Sequence, residues 1–314
     1  MSVLDLVLDA GFAFAVLRAA SPILLAAMGG VLTERAGVPN IGVEGMMLTG
    51  AFVAVVTTLA TGSPWVGLGA AVLAAAVAGA LLAWVAVDLH ADIIVAGFAI
   101  NTLVGGSTLF AMSELYGTRG SIVDSSLVTL PRIDLPIVAS VPVLGEAVSG
   151  HNVLVYVGWL SVLAVAVVLR RTRTGVHLRA VGASPETAAA VGIDTRRVQY
   201  GTLVVAGALA GLGGANLSIG YLSSFTRDMT AGRGFIALAA VLFAGARPGL
   251  TVVATLVFGI ADALGNVLQR TDVPSQALLM LPYLATFLAI TVHSIRTSRR
   301  QGSPAPTTTP EATS

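Results

Sequence analysis

The sequence contains no cysteine and no lysine, and only 11% of its 314 residues are charged. The lack of cysteine excludes disulfides, thiolate zinc sites and cysteine nucleophiles. The lack of lysine excludes a P-loop, because that motif needs its lysine to reach the nucleotide phosphates. Soluble domains carry about 25% charged residues, so the low charge and the mean hydropathy of +0.88 exclude an ordinary soluble domain.

The few polar residues do not form a catalytic arrangement. The sequence shows no Ser-His-Asp order, no HExxH and no paired carboxylates in a credible context. Asp88, His90 and Asp92 lie together in the short segment DLHAD, but such a tight polar turn is more typical of a solvated loop than of a metal site. We therefore expect no catalytic residue, no metal site and no cofactor bound by this chain. A net charge of +1 gives no reason to expect nucleic-acid binding.

Long apolar runs predict a bundle of membrane-spanning helices. A helix needs about 20 largely apolar residues to cross a bilayer. Residues 3–32 contain Pro22 and fit one bent helix or two short ones. The remaining runs are residues 43–61, 65–87, 93–112, 153–169, 198–225, 234–246, 249–268 and 276–295. The predicted fold is an all-α polytopic transmembrane helical bundle of about 8–10 spans.

The arginines predict which loops face the cytoplasm, because cytoplasmic loops carry an excess of basic residues. Residues 170–197 form a polar island between two apolar runs, and it holds six of the 17 basic residues: Arg170, Arg171, Arg173, Arg179, Arg196 and Arg197. The C-terminus also carries arginines, whereas residues 113–152 carry four acidic residues against two arginines and are predicted to be extracytoplasmic. We expect residues 1–300 to form the transmembrane domain and residues 301–314 a disordered cytoplasmic tail.

The polar island contains the signals of a short helix. Ser184 is a suitable N-cap, Pro185 fits the first helical position, and the helix dipole favours Glu186 in the first turn. Gly192 suits the stop. A helix of about two turns is marginal alone in water, so something must pack on it. It could lie on the membrane surface, or it could enter a groove in a partner protein.

The string TGVHLRAVGASPETAAAVGID resembles the coupling-helix loop of permease subunits in bacterial ABC importers for nucleosides and simple sugars. The resemblance implies that a separate ATPase grips this loop. It assigns the ATPase contact to Gly182, Ala183, Ser184, Pro185, Glu186, Thr187 and Ala188.

Residues 34–52, ERAGVPNIGVEGMMLTGAF, carry a second motif. Glu44 is an ionisable residue in an apolar span, so by default it faces the bundle or a cavity. The structural alternative is that Glu44 pairs with backbone donors or with Arg35. The motif is similar to that of nucleoside-type permeases paired with basic-membrane-protein-type lipoproteins. Sugar permeases of the wider family tend to carry Asp-Leu-Ser in place of Asn40-Ile41-Gly42, and this difference favours nucleosides.

Residues 230–249, TAGRGFIALAAVLFAGARPG, are similar to the family's matching segment in the C-terminal half. Both halves have a glycine-rich entry, an apolar run and a glycine-containing exit, and here Gly245 and Gly249 have GxxxG spacing. We predict a possible internal repeat with broken helices, which in transporters marks the substrate path. Two unrelated glycine-rich helices are the alternative.

Polar and aromatic residues within the spans are the candidates for the substrate path, because a nucleoside is flat, neutral and rich in hydrogen-bonding groups. They could equally serve as hydrogen-bonding contacts between helices. The candidates are Asn40, Glu44, Asn101, Asn216 and Phe235.

The resemblance implies a permease of the plasma membrane that works by alternating access. Its expected partners are an ABC ATPase that binds ATP and Mg, a second permease that is identical or a paralogue, and an extracytoplasmic substrate-binding lipoprotein. The alternatives are a simple-sugar or branched-chain amino-acid permease of the same superfamily. A proton-coupled secondary transporter that uses Glu44 or Asp262 is a third alternative.

Overall fold

The computed structural model describes residues 10–135 and 144–268. The predicted span at 276–295 and the predicted tail at 301–314 lie outside the described residues. The helices are α1 (Ala10–Arg35), α2 (Val43–Thr61), α3 (Pro64–Ala83), α4 (Ile93–Tyr116), α5 (Leu144–Val148), α6 (Val153–Arg171), α7 (Arg173–Ala183), α8 (Pro185–Ala190), α9 (Thr195–Leu217), α10 (Arg233–Phe243) and α11 (Pro248–Leu268). Wider π-type turns extend α3 through Trp84–Asp88 and α9 through Ser218–Leu222.

Seven of the described helices are long and apolar enough to cross a membrane. They are α1, α2, α3, α4, α6, α9 and α11. The prediction of a polytopic helical bundle is therefore confirmed. From Ala10 onward, the first apolar run is one continuous helix that contains Pro22, not two short helices.

The predicted span at 234–246 is wrong as a complete helix. α10 has 11 residues, and at 1.5 Å per residue it is about 16 Å long. The hydrocarbon core of a bilayer is about 30 Å thick. The sequence stays apolar through Ala246, but Gly245 and Ala246 both adopt positive φ and turn the chain before α11 begins.

α1 and α9 form the centre of the bundle. α9 packs against α1, α2 and α3, while α6, α10 and α11 pack against α1. Glycines allow some of these helices to approach with backbone touching backbone. A Cβ atom at Gly50 of α2 would collide with the backbone of Gly211 in α9. In contrast, α4 packs mainly on α2 and exposes Phe98, Leu103 and Phe110.

Two short antiparallel strand pairs join distant loops at one end of the bundle. β1 (Ser121–Ile122) pairs with β4 (Phe225–Thr226), and β2 (Arg132–Ile133) pairs with β3 (His151–Asn152). We call this end the 113–152 face. The opposite end, which carries α7 and α8, is the 170–197 face.

The segment between α9 and α10, residues 223–232, is irregular. Ser223, Asp228 and Ala231 have positive φ although they are not glycines, and Gly232 precedes α10 with a φ of +78°. This segment leads from the strand pair at the 113–152 face to the start of the short helix α10. It therefore positions the N-terminus of α10 inside the bundle.

Candidate functional site

The polar island folds into two short helices, α7 and α8. The Ser184 hydroxyl accepts a hydrogen bond from the Thr187 backbone N–H at 3.2 Å, and Pro185 occupies the first turn of α8. Gly192 has a φ of +85° just after the helix, where a left-handed residue ends a helix. The predicted helix, its cap and its stop are confirmed. Helix α7 was not predicted from the sequence, and the Thr172 hydroxyl caps its start.

α8 offers an exposed surface. Pro185, Glu186 and Thr187 are exposed, whereas Ala188 is buried against the rest of the island. Val191, at the end of α8, is 73% exposed. An exposed apolar residue beside a capped helix is available to a partner protein, although a single exposed residue is also common on ordinary surfaces.

The island touches the bundle through Gly182 at the end of α7. A Cβ atom at Gly182 would collide with the carbonyl oxygen of Arg35, the last residue of α1, and would lie 3.2 Å from the Gly37 nitrogen. Val181 and Leu178 are buried beside this contact. Because backbone meets backbone here, a displacement of α7 has no flexible side chain to absorb it.

The Arg35 side chain holds the end of α10. Its Nε donates to the Ala246 carbonyl at 2.9 Å, and its Nη2 donates to the Gly245 carbonyl at 3.1 Å. Both carbonyls lie in the turn that follows α10. A cation at this end of a helix is favourable, because the helix dipole is negative at its C-terminus.

Glu44 holds the other end of α10. Its Oε1 accepts hydrogen bonds from the Thr230 hydroxyl at 2.5 Å and from the Gly232 N–H at 2.8 Å, and its Oε2 accepts from the Gly234 N–H at 2.7 Å. The carboxylate therefore satisfies backbone donors at the positive end of the α10 dipole. Its partners are these donors and not Arg35.

Residues 35–44, which we call the clamp segment, thus hold α10 at both ends. Arg35 binds its C-terminal turn and Glu44 binds its N-terminus. The motifs at 34–52 and 230–249 are therefore in direct contact. The clamp segment also carries the Gly182 contact, so it connects α8 and α7 with α10.

Asn101 of α4 supports the start of α2. Its Oδ1 accepts from the Gly45 N–H at 2.7 Å, and its Nδ2 donates to the Ile41 carbonyl at 2.9 Å. Asn40 is buried nearby, and its Nδ2 contacts the Met46 sulfur at 3.2 Å. The Asn40 Oδ1 atom has no hydrogen-bond partner among the described residues.

Replacing Asn101 with leucine is expected to destabilise the junction of α2 and α4. The Gly45 N–H and the Ile41 carbonyl would both lose a partner, at a cost of about 1–3 kcal/mol each. The midpoint of thermal unfolding in detergent should therefore fall. Thr102→Ala is the matched control, because the exposed Thr102 hydroxyl donates within its own helix. An equal loss in both variants would contradict the bridging role of Asn101.

Asn216 lies apart from the clamp segment, toward the 113–152 face. It is buried, and its Oδ1 accepts from the Asn152 Nδ2 at 2.8 Å. Asn152 also caps α6, so the pair joins α6 to α9. The neighbouring His151 stacks on Phe14, with ring centroids 3.9 Å apart. Burial lowers the pKa of the His151 imidazole and so favours its neutral form.

Phe235 lies on α10 one residue after Gly234 and is 38% exposed. Its ring faces that of Phe98 on α4, with centroids 6.1 Å apart. The structure therefore brings Glu44, Asn101 and Phe235 to one junction of α2, α4 and α10, and leaves Asn216 elsewhere.

The structure also contains a second polar cluster that the sequence did not predict. It lines a small cavity between α1, α9, α10 and α11, where Arg233 pairs with Asp262 at 3.5 Å. The Arg18 guanidinium lies over the Tyr221 ring, 3.8 Å from its centroid. The four residues are far apart in the chain, and no local spacing links them.

The DLHAD segment has structural partners. Arg196 makes two hydrogen bonds to the Asp88 carboxylate, at 2.7 and 2.8 Å, and the Tyr200 hydroxyl donates to the same group. Asp92 caps α4. Within residues 10–135 and 144–268, no group of three His, Cys, Asp or Glu residues is arranged to hold a metal ion.

The described residues form seven long apolar helices and an exposed loop helix, which is the architecture of a polytopic membrane protein. Residues 12–291 match the family described as branched-chain amino acid transport system / permease component, and the chain belongs to that family. No solved structure is significantly similar to the chain.

Similar proteins cover nearly the whole chain. It is 36% identical to the guanosine ABC transporter permease protein NupQ of Bacillus subtilis, over 87% of this chain and 88% of the relative. It is 30% identical to the nucleoside ABC transporter permease protein NupC of Lactococcus lactis, over 86% and 88%. It is 33% identical to the putative glucose ABC transporter permease protein TsgC13 of Haloferax volcanii, over 92% and 93%. The chain is therefore a multi-pass permease of an ABC importer.

Proposed function

We propose that this permease imports nucleosides and is driven by a separate ATPase that docks on α8. The names of two relatives, a guanosine permease and a nucleoside permease, support nucleosides as the substrate class. The Asn40-Ile41-Gly42 sequence of the clamp segment supports the same class. The observation that carries the mechanism is the clamp segment itself, because it connects the island to both ends of α10.

The 170–197 face lies in the cytoplasm, and the C-terminus lies on the same side. Six arginines in the island support this orientation through the positive-inside rule. The four acidic residues against two arginines in residues 113–152 support an external position for the opposite face, where a substrate-binding lipoprotein delivers the substrate. A second permease, identical or a paralogue, completes the path.

The ATPase contact consists of residues Gly182 to Ala188. ATP and Mg bind to the ATPase, which does the hydrolysis, and this chain contributes no catalytic group. Closure of the ATPase displaces α8 and α7, and the backbone contact at Gly182 carries the movement to Arg35. Arg35 then moves the C-terminal turn of α10, while Glu44 keeps the N-terminus of α10 attached to α2. The path thus alternates between outward-facing and inward-facing states.

The substrate path runs beside the junction of α2, α4 and α10. Phe235 and Phe98 offer aromatic faces, and stacking of a base on an aromatic ring contributes about 1–3 kcal/mol. Glu44 and Asn101 act as positioning residues, because their hydrogen bonds are taken up by α10 and α2. The Asn40 Oδ1 atom is a buried acceptor with no hydrogen-bond partner among the described residues. Asn216 acts nearer the outer face.

Uptake of labelled guanosine should require this chain and should be competed by other nucleosides. The experiment compares a deletion strain with the complemented strain and adds unlabelled guanosine, uridine, glucose or leucine in excess. Competition by both nucleosides and none by glucose or leucine supports the proposal. If guanosine uptake does not depend on the chain, or if glucose or leucine competes as well as uridine does, the substrate class is contradicted, while the coupling mechanism keeps its own test.

A simple sugar is the second candidate, supported by the relative named for glucose. Branched-chain amino acids are the third, supported by the family description. A proton-coupled transporter would instead take up substrate into vesicles without ATP, and an uncoupler would stop it.

A further inference from the structure

An apolar groove of about 500 Å³ opens at the 170–197 face. It lies between α6 and α9, with Leu32 of α1 and Leu178 of α7 among its lining residues. The other lining residues are Val168, Thr172, Thr174, Arg197, Val198, Gly201, Thr202 and Val205. Its volume is within the range of small-ligand cavities, about 300–1,000 Å³.

The groove is apolar although it contains threonines. The Thr172 hydroxyl donates to the Val168 carbonyl, and the Thr202 hydroxyl donates to the Val198 carbonyl. Gly201 is exposed, and a Cβ atom there would meet open space in the described structure. Val205 is exposed at the outer edge, on a helix long enough to cross the membrane. Within the described residues the groove is thus uncovered along Gly201 and Val205, on the side of α9.

The mouth of the groove is basic. Arg197 lines it with a side chain that is 88% exposed, and Arg171 and Arg173 are exposed beside the lining residues Thr172 and Thr174. Asp194 is the carboxylate that faces Arg197, at 2.9 Å. For Arg171 and Arg173, no carboxylate of the described residues lies within 4 Å. An apolar groove below clustered guanidinium groups matches an acyl chain attached to a phosphate.

We propose that this groove binds an anionic phospholipid from the adjacent leaflet. One acyl chain lies along Gly201 and Val205, and the phosphate lies against Arg171, Arg173 and Arg197. Basic residues at a membrane surface each favour anionic lipid by about fivefold in affinity. The site adjoins α7, so a bound lipid would pack directly against the island. The inference depends on the membrane placement and not on the nature of the substrate.

Native mass spectrometry of the purified full-length chain tests the proposal. The probes are dioleoyl phosphatidylglycerol and dioleoyl phosphatidylcholine, added to the protein in detergent. The wild type should retain one tightly bound phosphatidylglycerol with at least a tenfold preference over phosphatidylcholine. Gly201→Leu should fill the groove and weaken that binding at least fivefold for both lipids.

Two further variants separate the groove from its charge. Gly69→Leu is the matched control, because Gly69 is an exposed helical glycine with open space at its Cβ position and lies outside the groove. It should leave lipid binding unchanged. Exchange of Arg171, Arg173 and Arg197 for glutamine should remove the preference between the two lipids.

Three results would overturn the proposal. They are unchanged lipid binding by Gly201→Leu, an equal loss in Gly69→Leu, and a wild type that binds both lipids equally. A protein dimer that Gly201→Leu disrupts would assign the groove to a second copy of the chain instead. Because the arginine variant changes only exposed side chains, it tests the charge requirement even if Gly201→Leu folds poorly.

Discussion

Exchange of Glu44 for alanine is expected to reduce uptake about a hundredfold or more. Three donors would lose their acceptor: the Thr230 hydroxyl, the Gly232 N–H and the Gly234 N–H. Each unpaired buried donor costs about 1–3 kcal/mol, and a total of about 3 kcal/mol shifts a two-state equilibrium by more than a hundredfold. The docked position of α10 would then no longer be the dominant one.

A glutamine at position 44 distinguishes the role of the carboxylate from that of its volume. The amide oxygen can still accept from Thr230 and Gly232, but the amide nitrogen cannot accept from the Gly234 N–H. One unpaired donor should reduce uptake by about tenfold, between alanine and wild type. Initial rates of labelled-nucleoside uptake in the deletion strain, normalised to the amount of folded permease, give the measurement.

The control for Glu44 is Glu114→Ala. Glu114 is an exposed carboxylate on α4, so its removal should leave uptake within twofold of wild type. Equal uptake by wild type, Glu44→Gln and Glu44→Ala would show that the α10 contact is dispensable. A proton-coupled mechanism makes a different prediction: the uptake that remains in the Glu44 variants would not require ATP.

Exchange of Gly182 for valine is expected to abolish uptake while ATP hydrolysis continues. A side chain at this position collides with the Arg35 carbonyl, so α7 must move away from the clamp segment. The ATPase would still bind α8, but its movement would no longer reach α10. The measurement is the ratio of uptake to ATP hydrolysis in proteoliposomes that contain the assembled transporter.

Charge reversal by Glu186→Arg should give the same uncoupling by a different route. Glu186 is exposed in the first turn of α8, and a cation there opposes the helix dipole by about 0.3–1 kcal/mol. It also changes the surface that we assign to the ATPase. Gly69→Val is the control, because that glycine is exposed on α3 and unconstrained within the described structure. Normal uptake by both Gly182→Val and Glu186→Arg would refute the coupling role of α8.

Local signals in the sequence were sufficient to predict much of the fold. Apolar runs located the long helices, because a membrane span is set by length and composition alone. The cap at Ser184 and the stop at Gly192 located α8, because both act within a few residues of the helix ends. The glycine-rich motifs at 34–52 and 230–249 could be recognised from the sequence, and in the structure they meet at Glu44.

Contacts between distant residues could not be predicted in the same way. Glu44 and Gly234 are separated by 190 residues, and no local pattern around Glu44 favours backbone donors over Arg35 as its partner. GxxxG spacing, as in Gly245 and Gly249, is typical of close packing between membrane helices. In the structure Gly245 lies in a turn, and a Cβ atom at either glycine would meet nothing in the described residues. Close helix contacts are made by other glycines, such as Gly50 with Gly211.

The brevity of α10 has a consequence for the membrane as an electrical barrier. Residues 223–232 descend from the 113–152 face without a helix, and irregular backbone at membrane depth is tolerated where protein buries it or water lines it. Thr226, Arg227 and Asp228 are exposed at the outer end of this segment, beside the strand pair, whereas Met229 and Thr230, nearer α10, are buried in protein. α10 itself covers only about 16 Å of a hydrocarbon core that is about 30 Å thick. Those 11 residues and their neighbours must prevent the leakage of ions across the whole membrane potential.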